Sequence, residues 1–290
     1  MKKLLVILSA VILTACGGGG GSSTPSTPAA PSSPASQPAA TTSTFNTCVS
    51  NANPTGFTKQ FGSLLELSSV WNPAGATAYN VCLNNTLDAN NNITDLEIVW
   101  NVTATVPASS TPVVMYPDLM FGWQPGFTSS TTTILPASVA NVPSLPVEGT
   151  VTTTCNGACG YDTSFDLMFS KTATPNTWPP AAEVMVYLSD TFGNSFPGTN
   201  LGTVTIDGQA FTVYQNNVQI NSNSSWPSLV YIAQNQPLTN LNGLNLKDFV
   251  QDALNRGVIN TTLYLDMVEL GSEVQNGSGT TSIKNFTIAK

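Results

Sequence analysis

The 290-residue chain contains no histidine. That absence rules out Ser–His–Asp and Cys–His catalysis and the usual zinc-hydrolase sites, so any acid–base chemistry must rest on carboxylates. Basic residues are also scarce, eight against sixteen acidic ones, and two of the eight are Lys2 and Lys3 at the extreme N-terminus. Nucleic acid and acidic lipid surfaces are therefore not expected as partners. Charge of either sign makes up only 8% of the chain. Asn, Ser, Thr and Gln dominate the polar residues instead, which suits a neutral, hydroxyl-rich ligand. Long apolar runs are missing except for one, "LLVILSAVIL" at 4–13. Behind two lysines, and too short to span a bilayer in the usual way, it reads as a secretory signal.

That run ends in "LTAC", Leu13 to Cys16, which resembles a bacterial lipobox. The resemblance implies cleavage after Ala15 and acylation of Cys16, with Gly17 at the next position favouring the outer membrane. From Gly17 to Thr44 there is no charge, aromatic or branched aliphatic residue, so the segment cannot bury enough surface to fold. The expected organisation is a signal peptide at 1–15, a lipidated cysteine and Gly/Ser/Thr/Pro tether at 16–44, and one folded domain at 45–290. The expected location is the cell envelope, facing the periplasm or the cell surface. There the protein would be a monomer touching the membrane only through its anchor.

Four cysteines remain, Cys48, Cys82, Cys155 and Cys159. An even number in an exported chain favours two disulfides, and the preferred pairing of the three possible is Cys155–Cys159, closing "CNGAC", with Cys48–Cys82. A metal site is not expected, since no histidine completes one and the compartment is oxidising. No cofactor is expected either.

Short β patterns recur near 77–83, 95–106, 113–121, 147–154, 161–170, 182–189, 201–214, 228–234, 261–270 and 280–288. Gly-, Asn- and Pro-rich separators such as "DANNN" and "FGNSFPG" divide them. This predicts an all-β fold, a sandwich or jelly roll of two antiparallel sheets. One segment, "NLKDFVQDALNRG" at 245–257, has helical spacing instead. Asn245 is placed to cap it, Asp248 and Arg256 complement its dipole, and Gly257 ends it.

Most carboxylates, Asp88, Asp95, Asp162, Asp190, Asp207, Asp248 and Asp252 among them, fall in turns or polar flanks and read as solvated. Others interrupt strands. Glu183 lies within "AEVMVYL", sharing a face with Met185 and Tyr187, while Asp166 in "SFDLMF" shares one with Ser164 and Met168. Glu273 follows "TTLYLDMVELGSE", where Asp266 and Glu269 are further candidates. Thioethers and a phenol are wasteful on a fully wetted face, so these acids are read as lining a concave groove. Two carboxylates in a groove, without histidine or metal, point to glycoside hydrolysis.

Seven motifs in one colinear order resemble glycoside hydrolase family 12, the jelly-roll endoglucanases and xyloglucanases. They are "YNVCLNN" (79–85), "YPDLMFGW" (116–123), "YDTSFDLMF" (161–169), "EVMVY" (183–187), "FPGTNLGTV" (196–204), "LKDFVQDALNRG" (246–257) and "LDMVELGSEV" (265–274). The resemblance implies that Glu183 is the nucleophile, Glu273 the general acid and base, and Asp166 the residue that orients Glu183. It implies a β-1,4-glucan substrate of cellulose, mixed-linkage or xyloglucan type, with Asn85, Trp123, Met185, Tyr116 and Tyr187 as binding candidates. The sequence departs from the family pattern at Leu87 and Tyr187, where tryptophan is expected, at Gln124 near an expected histidine, and at Ser272 in place of an aromatic. These departures imply remodelled subsites. The alternative is a non-catalytic carbohydrate-binding lipoprotein on the same sandwich, which would have no need of a paired acid and nucleophile.

Overall fold

The computed structural model describes residues 43–289 outside 106–112, 176–177, 192–197 and 222–223. Cys16, the signal and nearly all of the tether lie outside the described residues. Strands in chain order are β1 (Ser43–Ser50), β2 (Thr58–Phe61), β3 (Leu64–Leu67), β4 (Ala76–Leu87), β5 (Ile93–Ala104), β6 (Asp118–Gly122), β7 (Ala137–Ser138) and β8 (Pro146–Cys155). They continue with β9 (Gly160–Ser170), β10 (Ala182–Asp190), β11 (Thr199–Ile206), β12 (Gln209–Asn221), β13 (Ser224–Ala233), β14 (Leu244–Asn245) and β15 (Tyr264–Ile288), with one helix, α1 (Leu246–Asn255), before the last.

Two sheets face each other, as expected of a jelly roll. The outer one runs β1–β4–β5–β15–β8–β14 and the inner one β2–β3–β6–β15–β9–β10–β13–β12–β11. Every named pairing is antiparallel except β10 with β13. The alternation read in "DLEIVWNV" holds, since Leu96, Ile98, Trp100 and Val102 all point into the space between the sheets. On β9 and β10 the same core receives Phe165, Leu167, Phe169, Val184, Val186 and Leu188.

The expectation of two strands at 261–270 and 280–288 is corrected: β15 is a single strand of 25 residues. Its first half pairs with β9 in the inner sheet and its second half with β5 and β8 in the outer one. The polar stretch "QNGSG" looks like a turn but is where the strand crosses between sheets, and Gly277, at φ +98°, makes the close approach to Ala158 and Cys159 possible. The Cys155–Cys159 disulfide closes the β8–β9 connection at this crossing, and Cys48–Cys82 joins directly opposed residues of β1 and β4. The longer of the two loops, with a sequence separation of 34 against 4, removes more unfolded-chain entropy. On the chain-entropy model the two bridges stabilise by about 4 and about 2 kcal/mol.

Five strands have no counterpart in the sequence pattern, β1 to β3 and the two-residue β7 and β14, the pattern at 201–214 is divided between β11 and β12, and β1 begins at Ser43, inside the segment assigned to the tether. The helix is where its spacing put it. The Asn245 side chain accepts from the Lys247 N–H, and Gly257 follows at φ +74°. Phe249 packs edge-on against Phe211 and Tyr231 at 5.1 and 5.2 Å, and the Tyr231 hydroxyl donates to Asp252, seating α1 on the core side of β12 and β13.

Candidate active site

The inner sheet carries a second set of side chains on the face turned away from the core. Strand parity puts Asp118 and Met120 of β6 there, Met267, Glu269, Gly271 and Glu273 of β15, and Asp162, Ser164, Asp166 and Met168 of β9. Glu183, Met185 and Tyr187 of β10 and Trp226, Ser228 and Val230 of β13 complete it. A flat sheet would leave this face wet, yet Asp166, Glu183, Met185 and Tyr187 are only 4 to 6% exposed. The sheet must curve around them so that they bury one another, which makes the face concave. Gly271 permits part of that closure: a Cβ there would lie 2.2 Å from the Pro117 carbonyl oxygen on the neighbouring chain segment.

Six carboxyl groups share this face, and burial raises the pKa of each. For Glu183 burial and then the charge of Glu273 push it up to about 7, opposed by hydrogen bonds from the Trp226 indole and Asp166. The Trp226 Nε1 stands 3.4 Å from Glu183 Oε2. Asp166 is held well above the usual range by burial and then by Glu183, Glu269 and Glu273, so it stays protonated and can donate to Glu183. Burial also raises Glu273, while hydrogen bonds with Asp162 and the Tyr187 hydroxyl work in the opposite direction. Glu269, directly opposite Asp166 in register, is pushed to about 8 by burial and by Glu183. Charges that raise one another's pKa in this way do not all ionise together, so the group holds protons and a carboxylate side by side near neutral pH.

The structure thus brings Glu183, Glu273, Asp166, Met185 and Tyr187 together on one face. Tyr116 joins them, its hydroxyl donating to the Ser164 carbonyl at 3.1 Å and its pKa raised by burial and by the nearby acids. Trp123 follows β6, half-buried, with its indole N–H donating to the Phe127 carbonyl at 2.9 Å. Phe127 in turn packs on Leu65, Leu67, Met120, Met168 and Met267 of the concave face. Asn85 is placed elsewhere: it faces the interior between the sheets and donates to Glu66 at 2.5 Å. Leu87 and Ser272 also point inward. Ser272 belongs to a buried hydroxyl chain with Thr163 and Thr281, so these two departures change the core rather than the lining of the trough. Gln124 accepts from the Phe127 N–H in the turn after β6.

Of the acids expected to be solvated, Asp162 departs from that role, and two further acids are also buried. Asp162 is fully buried and hydrogen-bonded to Glu273, and Asp118, which strand alternation alone did not single out, is buried against Glu269 with Ser69 donating to it. Asp266 is buried and bound by Ser170, away from this cluster. Trp226 was missed as well. It lies two residues before Ser228, the register partner of Glu183, and a parallel pairing cannot be read from a single strand's pattern.

The fold has counterparts among known proteins. The model of the glycosyl hydrolase family 12 matches residues 69–289. The chain belongs to that family. A family 12 xyloglucanase from Bacillus licheniformis superposes with a TM-score of 0.69 at 21% identity, covering 84% of this chain and 99% of that one. An endoglucanase from Rhodothermus marinus does so at 0.64 and 22% identity over 83% and 97% of the two chains. Endoglucanase 3 of Trichoderma harzianum gives 0.63 and 19% over 88% and 99%. At such identities the likeness of family 12 structures establishes the jelly-roll fold. A search of curated protein sequences returns no match.

Proposed function

We propose that the protein is a retaining endo-acting glycosidase that cleaves β-1,4-glucan backbones of cellulose, mixed-linkage or xyloglucan type. The observation that carries this reading is the pairing of Glu183 and Glu273 on one buried concave face, close enough for the charge of Glu273 to raise the pKa of Glu183. Glu183 attacks the anomeric carbon as a carboxylate while Glu273 gives its proton to the departing glycosidic oxygen, leaving a glycosyl ester on Glu183. Glu273, now a carboxylate, takes a proton from water as that water's oxygen bonds to the anomeric carbon and Glu183 is released. Asp166 and the Trp226 N–H hold Glu183 in line. Uncharged, hydroxyl-rich chains fit a face crowded with acids, where an anionic polymer would be repelled.

Incubation with soluble β-glucans is expected to release reducing ends, and NMR of the first product is expected to show the β-anomer. An α-anomer first would overturn retention. Binding without cleavage would select a carbohydrate-binding protein instead.

The same proposal includes acylation of Cys16, which would display the enzyme at the envelope on its tether. Labelled palmitate is expected to enter the full chain when it is expressed in a bacterium, and not the Cys16→Ser variant. Equal labelling of both would remove the anchor from the reading.

A further inference from the structure

Only two aromatic side chains among the large exposed hydrophobic groups of the described residues face solvent, Trp71 at 51% and Trp178 at 43%. A single exposed apolar residue needs no explanation, but Trp178 is held in a defined orientation beside the site. Its ring meets that of Trp226 edge-on, with centroids 5.6 Å apart and planes at 77°. Trp226 is almost fully buried, and its indole N–H points at Glu183 Oε2. The exposed indole therefore stands one ring beyond the proposed nucleophile, on the chain segment that enters β10. Trp226 packs against it on one side, and the side chain remains 43% open to solvent.

A flat, rigid apolar surface flanked by hydrogen-bonding groups suits the C–H face of a pyranose, which is apolar on its faces and polar at its rim. The neighbouring acids disfavour an anionic occupant. We propose that Trp178, buttressed by Trp226, is a sugar-stacking platform that extends the binding face past Glu183 and sets how the glucan chain is placed for cleavage. This rests on the proposed function and deepens it. Neither motif reading nor strand alternation points to residue 178, which lies outside any strand.

The test compares wild type, Trp178→Ala and Trp178→Phe as full chains, on cellohexaose and on xyloglucan-derived oligosaccharides. Trp178→Ala is expected to raise KM about fivefold to tenfold and to shift the pattern of product lengths, while Trp178→Phe restores most of the affinity. In parallel, the same oligosaccharides are titrated into Glu273→Gln with and without Trp178→Ala, following tryptophan fluorescence. A spectral shift that disappears with Trp178 is expected. Wild type that cleaves, with KM and products unchanged in Trp178→Ala, overturns the platform. Wild type that cleaves nothing overturns the proposed function instead. The titration then judges the platform alone, a Trp178-dependent shift sustaining it and no shift refuting it.

Discussion

Replacing Glu183 by Gln is expected to lower kcat on soluble β-glucan by about 10³-fold or more, and Glu273→Gln is expected to do the same on unactivated substrates. The two losses have different origins, and exogenous azide separates them. With Glu183→Ala, azide takes the place of the missing nucleophile and yields the α-glycosyl azide, by one inversion. With Glu273→Ala and an aryl glycoside whose leaving group needs no proton, the ester on Glu183 still forms. Azide then opens it to the β-glycosyl azide, by two inversions. A third variant, Glu269→Gln, tests the rival acid on the same face. Glu269 sits opposite Asp166 and beside Asp118, rather than beside the Tyr187 hydroxyl that holds Glu273. It is expected to cost no more than about tenfold. If Glu269→Ala gave the azide signature and Glu273→Ala did not, the proton donor would be at 269 and the mechanism would have to be redrawn around it. Far-UV circular dichroism of each variant checks that the sheets are intact.

How far the sequence discloses this arrangement depends on which periodicity a residue obeys. Strands with one face in the core and the other in the trough still alternate, so Glu183, Asp166 and the helix were legible from spacing, as was the sandwich itself. What spacing does not disclose is the second face's curvature. Asp162 near the start of β9 has the pattern of a solvated flank, and only the bend of the inner sheet turns it into a buried partner of Glu273. Asn85 fails in the opposite sense. It looks like a turn residue with a polar role, but it occupies the core parity of Val81 and Leu83, where its amide N–H donates to Glu66 from β3. β3 is four residues long, too short to show a period, so its partnership is invisible before folding. Trp226 and Trp178 are brought to Glu183 by a parallel pairing and a loop respectively, contacts that no single-strand pattern encodes.

Glu66 also leads to a large effect on stability. Its carboxyl is buried between the sheets and is pushed to about 7 by desolvation, with the Asn85 hydrogen bond and Lys59 pulling weakly the other way. Glu183, Asp266 and Glu269 are likewise raised, to about 7, about 7 and about 8. A carboxyl whose folded pKa lies above its unfolded value binds more proton in the native state, so stability is greatest below the unfolded value of about 4.5 and is lost as pH rises through the folded one. For Glu66 alone the loss across that window is about 3 kcal/mol, and the coupled acids of the trough add to it without summing simply. The melting temperature is therefore expected to fall by about 5 °C or more between pH 5 and pH 8. The acidic net charge of the chain acts in the same direction. Glu66→Gln keeps a partner for Asn85 but cannot ionise, so it should leave the pH 5 value nearly unchanged and recover part of the loss at pH 8. The trough is untouched by that substitution, so activity measured alongside separates the two buried acid clusters. A melting temperature that rises from pH 5 to pH 8 in the wild type would mean that these carboxyls are solvated in the native state. The closed concave face that the catalytic reading needs would then not exist.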